Sequence, residues 1–134
     1  MSGVKITAAD KWFSKCVRQR ANWCCERCGN DFTHKPGGLD CSHHHGRRNW
    51  SIRFNPLNAE ALCYGCHSHH GGTEERRKEV LTEQEVDILF ELKRNVSLAK
   101  EYRRTKGVGE ISKHYREEYR RMVDTGDNNF EAYI

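Results

Sequence analysis

A chain of 134 residues can build one modest hydrophobic core and is too short for two ordinary domains. Hydrophobic residues are 36% and charged residues 31%, with no apolar run near the ~18 residues of a membrane span and no export-type stretch in residues 1–9, so a soluble, cytoplasmic protein without a membrane partner is expected. The formal net charge of +4 is mild, but residues 1–50 carry nine Lys/Arg against four Asp/Glu while residues 73–134 carry 13 against 14, which puts the positive charge beside the cysteines and histidines.

Residues 8–23 repeat Trp12, Phe13, Cys16, Val17 and Arg20 at helical spacing, with Asp10 as a start signal, and predict an N-terminal helix. Cys16 on that helix reads as a small buried hydrophobe. Residues 24–72 are rich in Gly, Pro, Asn and Asp, and predict loops, short strands and one short helix. From residue 73 the pattern is helical: Thr82 and Glu85 form a capping-box signature, and Val86, Ile88, Leu89, Phe90, Leu92, Val96 and Leu98 follow. Gly107 and Gly109 are expected to break that helix. A last helix from about Ser112 carries Tyr115, Tyr119, Met122 and Val123 on one face, expected to pack on the preceding helix.

Seven cysteines without an export signal point to reduced thiolates that ligate metal. Cys25 with Cys28, and Cys63 with Cys66, are two C-x-x-C pairs 34 residues apart. Each spacing lets a tight turn aim two sulfurs at one ion, and two turns complete the tetrahedral shell of a structural zinc. Cys24 in place of Cys25 would give a less usual spacing. Cys41 is open between ligating, capping and packing. A closed four-thiolate zinc has no free coordination position, so any chemistry sits elsewhere.

Six of the eight histidines fall between residues 43 and 70: His43, His44, His45, His67, His69 and His70. Closing the zinc arms brings His67 toward the 43–45 segment, a geometry for a second, labile metal with open water positions. Candidate ligands are His43, His67 and His70. Arg47, Arg48 and Arg53 are candidates to hold a phosphate.

The order Cys25-x-x-Cys28, Ser42-His43-His44-His45-Gly46-Arg47, Asn58 and Leu62-Cys63-Tyr64-Gly65-Cys66-His67 resembles the HNH, or ββα-metal, nuclease motif in its zinc-supported form. It is also similar to phage recombination nucleases of the NinG (Rap) group and to junction resolvases of the endonuclease VII type. The resemblance covers about 50 residues and implies an α+β fold: a small ββα-metal core (24–72) clamped by a four-cysteine zinc site, flanked by the N-terminal helix (1–23) and a C-terminal helical extension (73–134). It implies a metal-dependent DNA endonuclease with catalytic residues His43, His44, Asn58 and His67, a catalytic Mg²⁺, Mn²⁺ or Ni²⁺, and a possible homodimer through the C-terminal helices. Many family members carry Asp directly before the first histidine. This chain has Ser42 before His43 and His43 before His44, which leaves open which of the two is the general base. The competing expectation is a non-catalytic zinc module that binds DNA or protein.

Overall fold

A computed structural model describes residues 5–104 and 108–133, without the side chains of residues 104 and 108. The architecture is α+β: six α-helices and one two-stranded antiparallel sheet among the described residues. Helix α1 spans Ala8–Arg20, strand β1 Leu39–His43, strand β2 Ala59–Cys63 and helix α2 Tyr64–His70. Helices α3 (Glu74–Val80), α4 (Glu83–Lys93), α5 (Val96–Arg104) and α6 (Val108–Thr125) follow. None of the described helices is long and apolar enough to cross a membrane.

Helix α1 starts at Ala8 as expected, with Asp10 in its first turn, and ends at Arg20, short of the expected Trp23. Thr7 is its N-cap, accepting from the Asp10 amide while the Asp10 carboxylate accepts from the Thr7 amide at 2.8 Å, a reciprocal capping box. Its apolar face, Ala9, Phe13, Cys16 and Val17, is fully buried. Cys16 is the buried hydrophobe expected: its thiol donates to the Tyr115 carbonyl at 3.3 Å, and burial pushes its pKa up to about 12.

The partner of that face is α6. Ile111, Tyr115 and Met122 are each 0% exposed, and the Phe13 ring meets Tyr115 edge-on at 5.1 Å. The Tyr115 hydroxyl donates to the Phe54 carbonyl and accepts from the Tyr133 amide, which ties the C-terminal segment to the loop between the strands. The aromatic stripe of the last helix therefore packs on the first helix, and Tyr115 and Met122 are not available to a second chain. Pairing across 99 residues is invisible to local periodicity. Helix α6 also begins at Val108, ahead of the expected Ser112, so Gly109 lies inside it; Gly107 lies outside the described residues. The Thr82–Glu85 capping box forms as expected. The helix it opens ends at Lys93, and Asn95, accepting from the Leu98 amide at 2.9 Å, starts α5.

Strands β1 and β2 pair from Leu39 opposite Cys63 to His43 opposite Ala59. Alternation along β1 decides the direction of each side chain. Asp40 reaches the imidazole of His67 on α2, and Ser42 lies where α2 ends: a Cβ at Gly71 would sit 2.8 Å from Ser42 Oγ and 2.5 Å from the His67 ring. Glycine is required for that close approach. His43, one residue on, turns the other way and stacks on Phe13 of α1 at 5.8 Å.

Candidate functional site

The four C-x-x-C cysteines converge. One ligand atom from each of Cys25, Cys28, Cys63 and Cys66 lies within 4.8 Å of the others, and Cys28 Sγ stands 3.8 Å from Cys63 Sγ. A zinc with Zn–S bonds of about 2.3 Å needs sulfur–sulfur edges of about 3.8 Å, so the donor set and spacing fit a structural metal such as zinc. Two local devices build it. Gly29, at φ +79°, lets its amide return to the Cys25 carbonyl at 2.9 Å and closes the first turn. Glu26 then docks that turn on β2, its amide donating to the Ala61 carbonyl and its carboxylate accepting from the Ala61 amide at 2.6 Å. Burial opposes ionisation of Cys25, but hydrogen bonds from the backbone of Cys28, Cys63 and Arg27 outweigh it and bring the thiol down to about 6, favouring the ligating thiolate. Cys24 stays outside the cluster, and Cys41 is buried alone in β1 with its pKa raised to about 12 by burial.

Arg76 locks the arms from behind. It forms a bidentate pair with Glu60 of β2 at 2.8 and 2.9 Å and donates to the Glu26 carbonyl at 3.3 Å.

The histidines divide into three environments. His43 places Nε2 at 3.0 Å from the Arg53 carbonyl. A carbonyl only accepts, so Nε2 carries the proton and Nδ1 keeps a lone pair. That Nδ1 is buried without a hydrogen-bond partner. Burial, followed by the charge of Arg47, lowers the His43 pKa to about 4, so the ring is neutral near pH 7. His44 and His45 are buried and hold the loop through their backbones. The His44 amide donates to the Asn58 carbonyl at 2.8 Å, and the His45 amide donates to Asn58 Oδ1 at 2.9 Å. Asn58, itself 0% exposed, donates from Nδ2 to the carbonyls of His45 and Ile52. One side chain thereby fixes the chain immediately after His43.

His67 stands apart, half-exposed, with Nδ1 3.0 Å from Asp40 Oδ2. Asp40 is the residue sequence reasoning missed. The signal was available, since residues 40 and 42 share a face of a strand whose spacing from His43 is fixed by the period of two. The expected ligand trio of His43, His67 and His70 is not brought together: among the described residues the only group of three or more convergent metal-ligating side chains is the cysteine cluster. Strand alternation sends His43 to α1 while His67 faces Asp40, and His70 ends α2 beside His69.

Among the arginines, Arg53 is not a surface cation. It is 1% exposed, donates from Nε and Nη2 to the two Asp10 oxygens at 3.1 and 2.7 Å, and lies over the Trp50 ring at 4.3 Å. A phosphate contact from Arg53 is thus replaced by a buried ion pair that pins α1 to the inter-strand loop. Arg48 lies on the turn that follows the histidines. Arg47 is partly exposed, with Nε 3.6 Å from Asp10 and no hydrogen-bond partner. It lines an open groove of about 640 Å³ between α1 and β1, together with Asp10, Lys11, Lys15, Arg18, Asp40 and His67 among others.

No family model matches the chain, and no curated protein or solved structure shows significant similarity to it.

Proposed function

We propose that this protein is a metal-dependent phosphodiesterase of the HNH class, anchored by zinc on Cys25, Cys28, Cys63 and Cys66. Within that class we infer a DNA endonuclease of the phage recombination type. The observation that carries the reading is His43: a neutral imidazole with Nε2–H bound to the Arg53 carbonyl and a Nδ1 lone pair left without a protein partner. That is the state a general base needs.

Once a water reaches Nδ1, which is buried on the α1 side of β1, His43 takes its proton as the water oxygen attacks phosphorus and the bond from phosphorus to the 3′ oxygen breaks. The departing oxygen is protonated from solvent, leaving a 5′ phosphate and a 3′ hydroxyl. Asn58 is a positioning residue, holding the His43 segment through the backbone of His44 and His45. His44 supports this loop, and the role of base goes to His43.

Asp40 and His67 are the side chains that would hold a divalent ion. Their donor atoms meet each other at 3.0 Å, close enough that one cation would take both in place of the proton between them. One carboxylate and one imidazole, both half-exposed, leave the remaining positions to water, which suits Mg²⁺ or Mn²⁺ and tolerates Ni²⁺. When bound, such an ion stabilises the negative charge that develops on the phosphate. Asp40 takes the place that Ser42 leaves unfilled in the family pattern.

The test is incubation of zinc-loaded protein with supercoiled plasmid, linear duplex, single strand and a four-way junction, each with Mg²⁺, Mn²⁺ or Ni²⁺. Cleavage is expected, with loss in His43→Ala, Asp40→Ala and His67→Ala. Absence of cleavage on every substrate, or cleavage that survives those substitutions, overturns the reading in favour of a non-catalytic zinc module.

A further inference from the structure

Helix α1 lies outside the zinc arms and the strands, yet it forms one wall of the groove that contains Asp40 and His67. Lys11, Ser14, Lys15 and Arg18 line it, the i, i+3, i+4, i+7 set of a single helical flank, while Ala9, Phe13, Cys16 and Val17 are buried. We propose that this flank is a phosphate-binding track: Lys11, Lys15 and Arg18, continued by Arg47 across the groove, grip the backbone of a nucleic-acid strand and lead it past the Asp40–His67 pair. The position of the chemistry rests on the nuclease reading; the track itself is a binding surface.

The charge balance of the groove supports it. Its two carboxylates are engaged, Asp10 by the buried Arg53 fork and Asp40 by His67. The cations are held mostly by neutral partners that steady them without cancelling their charge. Lys15 Nζ lies 4.8 Å from the Trp12 ring centroid and 5.7 Å from that of Tyr119. Arg18 stacks on Trp23 at 4.8 Å and donates to the carbonyls of Ser14 and Pro36. Burial lowers the Arg18 pKa, and the opposing influences of Cys41, Tyr119 and Asp40 do not offset it, an electrostatic cost that a bound anion relieves. Arg47 Nε is buried and makes no hydrogen bond, its nearest carboxylate oxygen being Asp10 Oδ1 at an ion-pair distance of 3.6 Å, and a phosphate oxygen within hydrogen-bond reach satisfies it.

The spacing suits a nucleic-acid strand. From Lys11 to Arg18 the helix rises about 10 Å, and one strand of a duplex places a phosphate every 3.4 Å or so along its axis, giving about three phosphates for three cations.

The experiment is fluorescence anisotropy with labelled single-stranded and duplex oligonucleotides over a salt series, without added divalent ion, for wild type and a Lys11→Ala, Lys15→Ala double variant. Lys113→Ala on the exposed side of α6 is the single-charge control. The double variant is expected to bind at least tenfold more weakly at low salt. Its slope of log affinity against log salt should be smaller by about 1.8 on duplex or about 1.4 on single strand, with circular dichroism and zinc content unchanged. Unchanged affinity and slope overturn the track, as does equal competition by poly-glutamate. Wild type that binds with this signature but cuts nothing sinks the nuclease reading alone; wild type that cuts DNA while the double variant binds unaltered sinks the track alone.

Discussion

The cysteine cluster and the Asp40–His67 pair share helix α2, where Cys66 and His67 are neighbours, and draw their other members from different elements, and yet they are opposites. Four sulfurs within 4.8 Å, Cys25 among them held by backbone amides and its turn docked on β2 through Glu26, make a closed set. Two donors 3.0 Å apart and half-exposed make an open one. The direction of adjacent side chains on α2 separates them: Cys66 points to the Cys25–Cys28 turn, and His67 points to β1. On the proposed function, rigidity and reactivity lie within one turn of helix, with the first expected to govern folding and the second only chemistry.

The sharpest way to break this contrast is Cys63→Ser. Structural zinc contributes about 10–16 kcal/mol of apparent binding free energy that is coupled to folding. The variant is expected to lose its cooperative thermal transition and to bind no zinc by metal analysis. A folded variant with the wild-type melting temperature would mean that the cluster is incidental to the fold.

On the reactive side the expected effect is smaller and of another kind. His43→Ala should lower the cleavage rate by about 10² to 10⁴, the usual share of a general base, with zinc content and the circular dichroism spectrum retained. If the variant instead loses zinc, the two sites are not separable and the contrast fails.

The cysteine cluster was legible in the chain because its information is local. Each C-x-x-C turn closes within four residues, and only one cross-pairing was left to infer. Asn58 and His43 stood out through a resemblance alone, and their hydrogen bonds, Asn58 to the backbone of His45 and Ile52 and His43 to the Arg53 carbonyl, are made with neighbours' backbones. What local pattern could not reveal are pairs made by folding at a distance. Arg53 looked like a basic loop residue until Asp10, 43 positions away, claimed it. The aromatic face of α6 was expected to pack on the preceding helix, and it packs on α1 instead. Asp40 was hidden for a different reason: the family pattern directs attention to residue 42, and only the pleat of β1 shows that residue 40 reaches His67.

Asn58→Ala sharpens the boundary between the two regions, because Asn58 lies between the two cysteine pairs, belongs to neither, and supports the loop after His43. It strands the His45 amide and two carbonyls, and buried groups left unsatisfied cost about 1–3 kcal/mol apiece before relaxation. A net loss of about 3 kcal/mol in chemical denaturation is expected, together with reduced cleavage. Unaltered stability would show that the loop is held by something other than this side chain.

The smallest effect concerns acid. Burial, followed by the nearby charges of Lys93, Arg77 and His44, lowers the His45 pKa to about 4, against about 6.5 in an unfolded chain. The unfolded state therefore takes up the proton first, and the stability contributed by neutral His45 is full above pH 6.5 and is lost as pH falls from there toward 4. His43 acts in the same direction, and both lie between the two strands or at the edge of that loop. His45→Gln removes one of these protons while keeping a polar side chain beside Phe90. Its melting temperature should therefore fall less steeply than that of wild type between pH 6.5 and 4, a difference of about 1–2 kcal/mol at the acid end. Zinc content measured at each pH separates this from protonation of the thiolates, which both proteins share. Parallel curves would place the acid sensitivity in the closed site, and a flatter curve for the variant places part of it in the loop that Asn58 holds.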